Sequence, residues 1–98
     1  MISFNLEGKR ALIGGSTQGI GRAIKWELAS MGAACTLISR NRDSLTKAIA
    51  LLDTSHGQRH DSLVADFDRY EEVKAVVAAY IAEENIQILI NNSGGPAG

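Results

Sequence analysis

The feature that most constrains this chain is a glycine-rich turn between a short apolar run and an amphipathic stretch. The run KRALIGG, residues 9–15, suits a strand buried on both faces of a parallel sheet. Gly15 permits a sharp turn, Gly19 a close approach of the backbone to a ligand, and Gly21 tight packing of a helix on the strand. The unpaired N–H groups and the positive dipole end of that helix favour a bound anion. The turn therefore predicts a cradle for a pyrophosphate.

Strand and helix patterns alternate along the rest of the sequence. Apolar residues at three- and four-residue steps predict a first helix over about 19–31, which Gly32 ends in a left-handed conformation. Later patterns predict a second strand at 33–39 and a second helix capped by Asn41 or Asp43. A third strand at 62–66, a third helix and a fourth strand at 86–92 follow. The apolar residues that mark the third helix are Val73, Val76, Val77, Tyr80 and Ile81. Parallel neighbours need long crossovers, so we expect a doubly wound parallel α/β sheet with strand order 3-2-1-4.

Composition excludes several classes of function. A length of 98 residues predicts one domain, 1–98. The net charge of -1 offers no electrostatic reason to expect a nucleic acid or an anionic membrane as partner. The N-terminus lacks the basic-then-apolar order of a secretory signal, and no run approaches a membrane span, so a cytoplasmic location is expected. The single Cys35 is interpreted as a buried thiol. His56 and His60 lack ligand spacing, so we expect them to be solvated and expect no metal site.

The spacing of the turn narrows the ligand. GGSTQGIG has the form GxxxGxG, and Arg22 stands where a P-loop requires lysine, so ATP hydrolysis is disfavoured. This turn and the sequence Asn91-Asn92-Ser93-Gly94 resemble the TGxxxGIG and NNAG motifs of the short-chain dehydrogenase/reductase family, about as far apart as in that family. Gly14 replaces the usual Thr and Ser93 the usual Ala. The resemblance spans nearly the whole chain and implies the front half of a Rossmann-type domain.

The end of the second strand bears on the choice of cofactor. NAD-dependent dinucleotide folds place a carboxylate there for the ribose hydroxyl, whereas this chain has Ser39-Arg40-Asn41-Arg42. A guanidinium matches a phosphate, so Arg40, with hydroxyls from Thr17 or Ser39, favours NADP (NADPH) over NAD. The alternative is that Arg40 is a solvated surface charge, and Arg42 is left open between the two interpretations. Family members with Arg at this position generally use NADP.

The resemblance implies further site residues. It assigns Asp66 to the adenine amino group, with a turn carboxylate as the alternative, and it places Asn91 beside the adenosine. The predicted cofactor-binding set is Gly15, Ser16, Thr17, Gly19, Ile20, Gly21, Ser39, Arg40, Asp66, Asn91, Ser93 and Gly94. The family's catalytic Ser and YxxxK pair lie beyond NNAG, so we expect no catalytic residue in this chain and no activity from it alone. Tyr70 and Lys74 match YxxxK formally but precede the fourth strand, and we interpret that match as coincidence.

Three functions are compatible with these features. The leading one is the cofactor-binding part of an NADP-dependent oxidoreductase acting on a carbonyl or secondary alcohol, similar to the 3-oxoacyl-acyl-carrier-protein reductases and expected to be homo-oligomeric. The alternative is a non-catalytic nucleotide-binding or interaction module. A methyltransferase is disfavoured because Arg40 has the wrong charge for ribose hydroxyls. The apolar fourth strand predicts association of the isolated chain through an open edge. Trp26, off the apolar stripe of its helix, is read as a packing residue or as part of a contact surface, with packing favoured.

Overall fold

Strands and helices alternate as predicted. The computed structural model describes residues 5–14, 19–66 and 68–91, without the side chains of 19–23 and 91. In chain order the elements are β1 (Arg10–Gly14), α1 (Gly19–Ser30), β2 (Ala34–Ser39), α2 (Arg42–Leu51), β3 (Asp61–Val64), α3 (Tyr70–Glu83) and β4 (Ile88–Asn91). Asn41 caps α2 by accepting a hydrogen bond from the N–H of Ser44 at 3.0 Å, which settles the choice between Asn41 and Asp43.

The strands form a parallel sheet in the order β3-β2-β1-β4, which confirms the predicted 3-2-1-4 order. Leu12 of β1 lies between Thr36 of β2 and Leu89 of β4. The third strand begins at Asp61 and ends at Val64, against a prediction of 62–66. Ala65 nonetheless remains buried, and its N–H donates to Ser39 O at 3.0 Å, because the apolar pattern continues one residue beyond the ladder.

Two apolar layers enclose the sheet because successive side chains of a strand point to opposite faces. On one face α1 and α2 cover a cluster of buried residues: Ala11, Ile13, Ala29, Cys35, Leu37, Leu45 and Leu52. On the other face Val73, Val76, Val77 and Tyr80 of α3 pack against a smaller cluster formed by Leu12, Ile38 and Ala65. Ile81 is half exposed and lies off this contact. The other four residues predicted to mark the apolar face of α3 pack against the sheet as expected.

The first helix ends at Gly32 in a Schellman motif. The N–H of Ala33 donates to Leu28 O and that of Gly32 to Ala29 O, both at 3.0 Å. Gly32 has a φ of +101°, the left-handed conformation expected from the sequence. β2 begins at Ala34, two residues after Gly32.

Burial along α1 differs from the apolar stripe predicted for it. Lys25 and Ala29 are buried, whereas Leu28 and Met31 are only partly buried. Lys25 lies four residues before Ala29, so the two share one face of the helix. The Lys25 carbonyl is 3.9 Å from Cys35 Sγ in β2. Trp26 packs against the larger apolar cluster, which supports its interpretation as a packing residue.

The two histidines differ in their surroundings. His60 is half buried, and the prediction that it is solvated is wrong. Its Nδ1 accepts from the N–H of Cys35 at 2.9 Å, so Nε2 is the donor to Asp53 O at 2.7 Å. His56 is exposed and contacts Glu7 at 3.2 Å. The backbone of β2 extends beyond β3 at this end, and His60 satisfies a strand N–H that has no strand partner there.

A polar network lies at the amino ends of the strands. Arg10 donates to Thr36 Oγ1 at 2.9 Å and contacts the Asp61 carboxylate at 3.4 Å. The Tyr80 hydroxyl lies 2.7 Å from Thr36 Oγ1 and donates to Asp61 Oδ2 at 3.0 Å. Glu84 contacts Arg10 from the end of α3 at 3.5 Å. The network joins β1, β2, β3 and α3 at the edge of the sheet opposite the glycine turn.

Neither a membrane-spanning helix nor a metal-binding cluster occurs in the described ranges. No helix there has the length and apolarity to cross a membrane. Nor do those ranges contain a cluster of three or more side chains suited to hold a metal ion.

Candidate functional site

The carboxyl ends of the strands meet at one edge of the sheet. Gly14 pairs with Ile38 and with Asn91, and Ser39 pairs with Val64. Gly14, the last residue of β1, therefore lies between the ends of β2 and β4. In open α/β sheets ligands bind at this edge, where the strand order reverses. Here the reversal falls between β1 and β4, because the crossover from β1 leads to β2 on one side of β1, whereas the crossover from β3 leads to β4 on the other side.

Part of the predicted turn falls inside the described structure. Gly19, Ile20 and Gly21 form the first turn of α1, which begins at Gly19. The first N–H groups of an α-helix have no partner within the helix. Asn91 is the last residue of β4. Gly15, Ser16, Thr17, Ser93 and Gly94 lie outside the described residues.

Arg40 follows β2 directly and is one of the most exposed charged groups at this edge. Its side chain is 72% exposed, and Nη1 lies 3.8 Å from Oδ2 of Asp68. Ser39 is half buried, and its hydroxyl oxygen accepts from the N–H of Asn41 at 3.3 Å. The same Asn41 caps α2, so the chain direction on both sides of Arg40 is fixed by hydrogen bonds. Arg42 is exposed as the first residue of α2.

Asp66 follows β3 and is held in a turn. Its Oδ1 accepts from the N–H of Asp68 at 2.9 Å, which is the Asx-turn geometry typical of aspartate. Its own N–H donates to Glu72 Oε1 at 3.0 Å, from the first turn of α3. The side chain is half buried at the carboxyl edge of the sheet. The turn interpretation of Asp66 is thus correct, and it leaves the residue beside the predicted site.

Sequence reasoning missed Asp68 and Glu72. Both lie at this edge, Asp68 against Arg40 and Glu72 against the backbone of Asp66. The Asp-x-Asp spacing of residues 66–68 was a signal for an Asx turn. The proximity of Asp68 to Arg40 had no signal in the sequence, because this proximity follows from the pairing of β2 with β3.

Two other candidates for chemistry belong elsewhere. Tyr70 is 70% exposed at the start of α3, with Lys74 Nζ 5.9 Å from its ring centroid. Tyr70 and Lys74 thus form a surface cation–π contact one helical turn apart, which agrees with the interpretation of their YxxxK spacing as coincidence. Cys35 is fully buried, and burial raises the pKa of its thiol to about 11. Because the thiolate is the reactive form, Cys35 is a core residue at neutral pH.

The comparisons with known proteins agree on the family. The family model described as short chain dehydrogenase matches residues 9–98. The human inactive hydroxysteroid dehydrogenase-like protein 1 is 34% identical over 87 residues, which are 89% of this chain and 26% of that protein. The very-long-chain 3-oxoacyl-CoA reductase of Anas platyrhynchos is 33% identical over 89% of this chain and 28% of its own length.

A solved structure extends the similarity to the fold. L-Sorbose reductase from Gluconobacter frateurii, complexed with NADPH and L-sorbose, superimposes with a TM-score of 0.80 and 35% identity. The match covers 95% of this chain and 36% of the reductase. The chain thus spans between a quarter and just over a third of the length of these three proteins. It belongs to the short-chain dehydrogenase family and corresponds to the part of such an oxidoreductase that binds the nicotinamide cofactor.

Proposed function

We propose that this chain is the NADP(H)-binding portion of an oxidoreductase that transfers hydride between the nicotinamide and a carbonyl or secondary alcohol substrate. The observation that supports NADP is the exposed Arg40 at the carboxyl end of β2. No carboxylate stands at 39 or 40 to bind a ribose 2′-hydroxyl and repel a 2′-phosphate.

The donor set fits a dinucleotide that bears this phosphate. The N-terminus of α1 and the glycine turn offer N–H groups for the pyrophosphate. Arg40 and the Ser39 hydroxyl offer donors for the 2′-phosphate, and Asp66 and Asn91 flank the adenosine side. When bound, the nicotinamide supplies the hydride or accepts it. The residues named here bind and orient the cofactor, and none is assigned a catalytic step.

The names of the relatives favour a carbonyl substrate. One similar structure is a sorbose reductase in complex with NADPH, and one curated relative is an oxoacyl-CoA reductase. Both names denote reduction of a carbonyl group. We extend that class of small-molecule substrate to the protein that contains this chain, without choosing between a sugar and an acyl thioester.

Isothermal titration with NADP+ and NAD+ tests the cofactor assignment. We expect NADP+ to bind more tightly, and Arg40→Ala to weaken NADP+ by about 10- to 100-fold, because a charge-assisted hydrogen bond is lost. NAD+ lacks the phosphate, so its affinity should change by less than about threefold.

Arg59→Ala is the matched control for this experiment. Arg59 is 71% exposed, close to the 72% of Arg40, but lies by Asp61 at the opposite edge of the sheet. Its removal changes the net charge equally and should leave NADP+ affinity unchanged. Equal affinities for the two cofactors in the unaltered protein, or equal effects of the two variants, would contradict the proposal.

A further inference from the structure

The guanidinium assigned to the 2′-phosphate already has an acidic neighbour. Arg40 Nη1 and Asp68 Oδ2 are 3.8 Å apart, and the two side chains are 72% and 87% exposed. The contact is single and long, unlike the paired short hydrogen bonds of a bidentate arginine–carboxylate pair. Such exposed pairs contribute little to folding, so the carboxylate is not explained as a stabiliser.

Hydrogen bonds hold the backbone of the turn that carries Asp68. The N–H of Asp68 donates to Asp66 Oδ1 at 2.9 Å, and the N–H of Arg69 donates to Asp66 O at 2.8 Å. The N–H of Asp66 is in turn held by Glu72 at 3.0 Å. These bonds tie the start of the turn to β3, which pairs with β2 next to Arg40. The backbone that carries the Asp68 carboxylate is therefore held at the edge proposed to bind the cofactor.

A phosphate that binds Arg40 must share this space. It either takes the nitrogen that Asp68 now contacts and displaces the carboxylate, or it binds another N–H of the guanidinium and lies beside the carboxylate. In the first case the ligand loses the free energy of the existing ion pair, and in the second two negative charges repel each other across a few ångströms. Both costs weaken a 2′-phosphorylated ligand, and neither acts on one with a free 2′-hydroxyl.

We propose that Asp68 is a specificity-determining residue that competes for Arg40 and so limits the preference of the site for NADP over NAD. The inference rests on the proposed function, because it assumes that Arg40 receives the 2′-phosphate. It differs from a positioning role, in which Asp68 would hold Arg40 ready for the ligand. The two roles predict opposite signs when the charge is removed.

Titration of Asp68→Asn with NADP+ and with NAD+ distinguishes these roles. Asparagine keeps the size of the side chain and the N–H donated to Asp66 while removing the charge. We expect NADP+ to bind about three- to tenfold more tightly and NAD+ to change by less than about twofold. The gain should shrink at about 0.5 M salt, where screening shortens the range of the repulsion.

Glu83→Gln is the matched control, with the same change in net charge at the far end of α3. It should leave both affinities unchanged, so a gain shared by the two variants would overturn the inference by making it a general charge effect. Unchanged or weaker NADP+ binding by Asp68→Asn would also overturn the inference. The proposed function would stand in that case if Arg40→Ala still removed the preference for NADP+. If Arg40→Ala has no effect on NADP+, both fail together.

Discussion

Gly32 is a residue at which a methyl group would be strained in two ways. Its φ is +101°, and a Cβ would lie 2.9 Å from Glu7 Cγ and 3.1 Å from the Glu7 backbone nitrogen. The left-handed conformation costs an L-residue about 1–2 kcal/mol, and the contact with backbone adds to that. We expect Gly32→Ala to lower the free energy of unfolding by about 2–4 kcal/mol, measured by urea denaturation.

Gly57 offers a control for the backbone component alone. Its φ is +78°, but a Cβ there meets nothing within 4 Å. Gly57→Ala should therefore cost only about 1 kcal/mol. Equal losses in the two variants would show that the N-terminal segment is not packed against Gly32 as described.

At the scale of elements, the Glu7–His56 pair joins the segment before β1 to the loop between α2 and β3. Hydrogen bonding to Glu7 raises the pKa of His56 above its usual 6.5. Hydrogen bonds from Asn5 and then from His56 lower the pKa of Glu7 below 4.5. His56 thus adds stability that is complete below pH 6.5 and is lost as the pH rises through its raised pKa. Glu7 adds stability above pH 4.5 that is lost as the pH falls through its lowered pKa.

The pair should therefore be strongest between these limits. A double-mutant cycle of Glu7→Gln and His56→Gln, followed by thermal unfolding, should show a coupling at pH 5.5 that is reduced at pH 8.5. Both groups are exposed, so we expect the coupling to be small. Coupling that is the same at the two pH values would mean that the contact does not depend on the charge of His56.

At the scale of the whole molecule, β4 pairs with β1 on one side, and the described residues place no strand on its other side. Leu89 in this strand is 69% exposed. Unpaired apolar edges promote association, so we expect the 98-residue chain to sediment as more than a monomer at tens of micromolar. Leu89→Lys should shift it towards monomer, because an edge lysine opposes strand pairing.

Leu51→Lys is the control, since Leu51 is 67% exposed but lies on α2, away from the strand edge. It should leave the sedimentation of the chain unchanged. A monomer in the unaltered chain would contradict the prediction directly.

Local chemistry explains why so much of the fold was predictable. The period of the apolar residues, Gly32 with its positive φ, and the need for long crossovers between parallel strands are properties of short segments. They determined the number and kind of the elements and the parallel pairing of the strands. Gly19 and Gly21 at the start of α1 and Arg40 after β2 were placed on the correct elements for the same reason.

What only the tertiary structure decided are contacts between segments far apart in sequence. Arg40 meets Asp68 because β2 pairs with β3, and His60 meets the N–H of Cys35 because the loop before β3 folds back over the start of β2. Burial of Lys25 depends on which side of α1 faces the sheet. A one-dimensional pattern records the types of residue on each face but not the partner each face meets. The sequence by itself thus determined the scaffold, while the pairing of strands decided which charges lie together at its carboxyl edge.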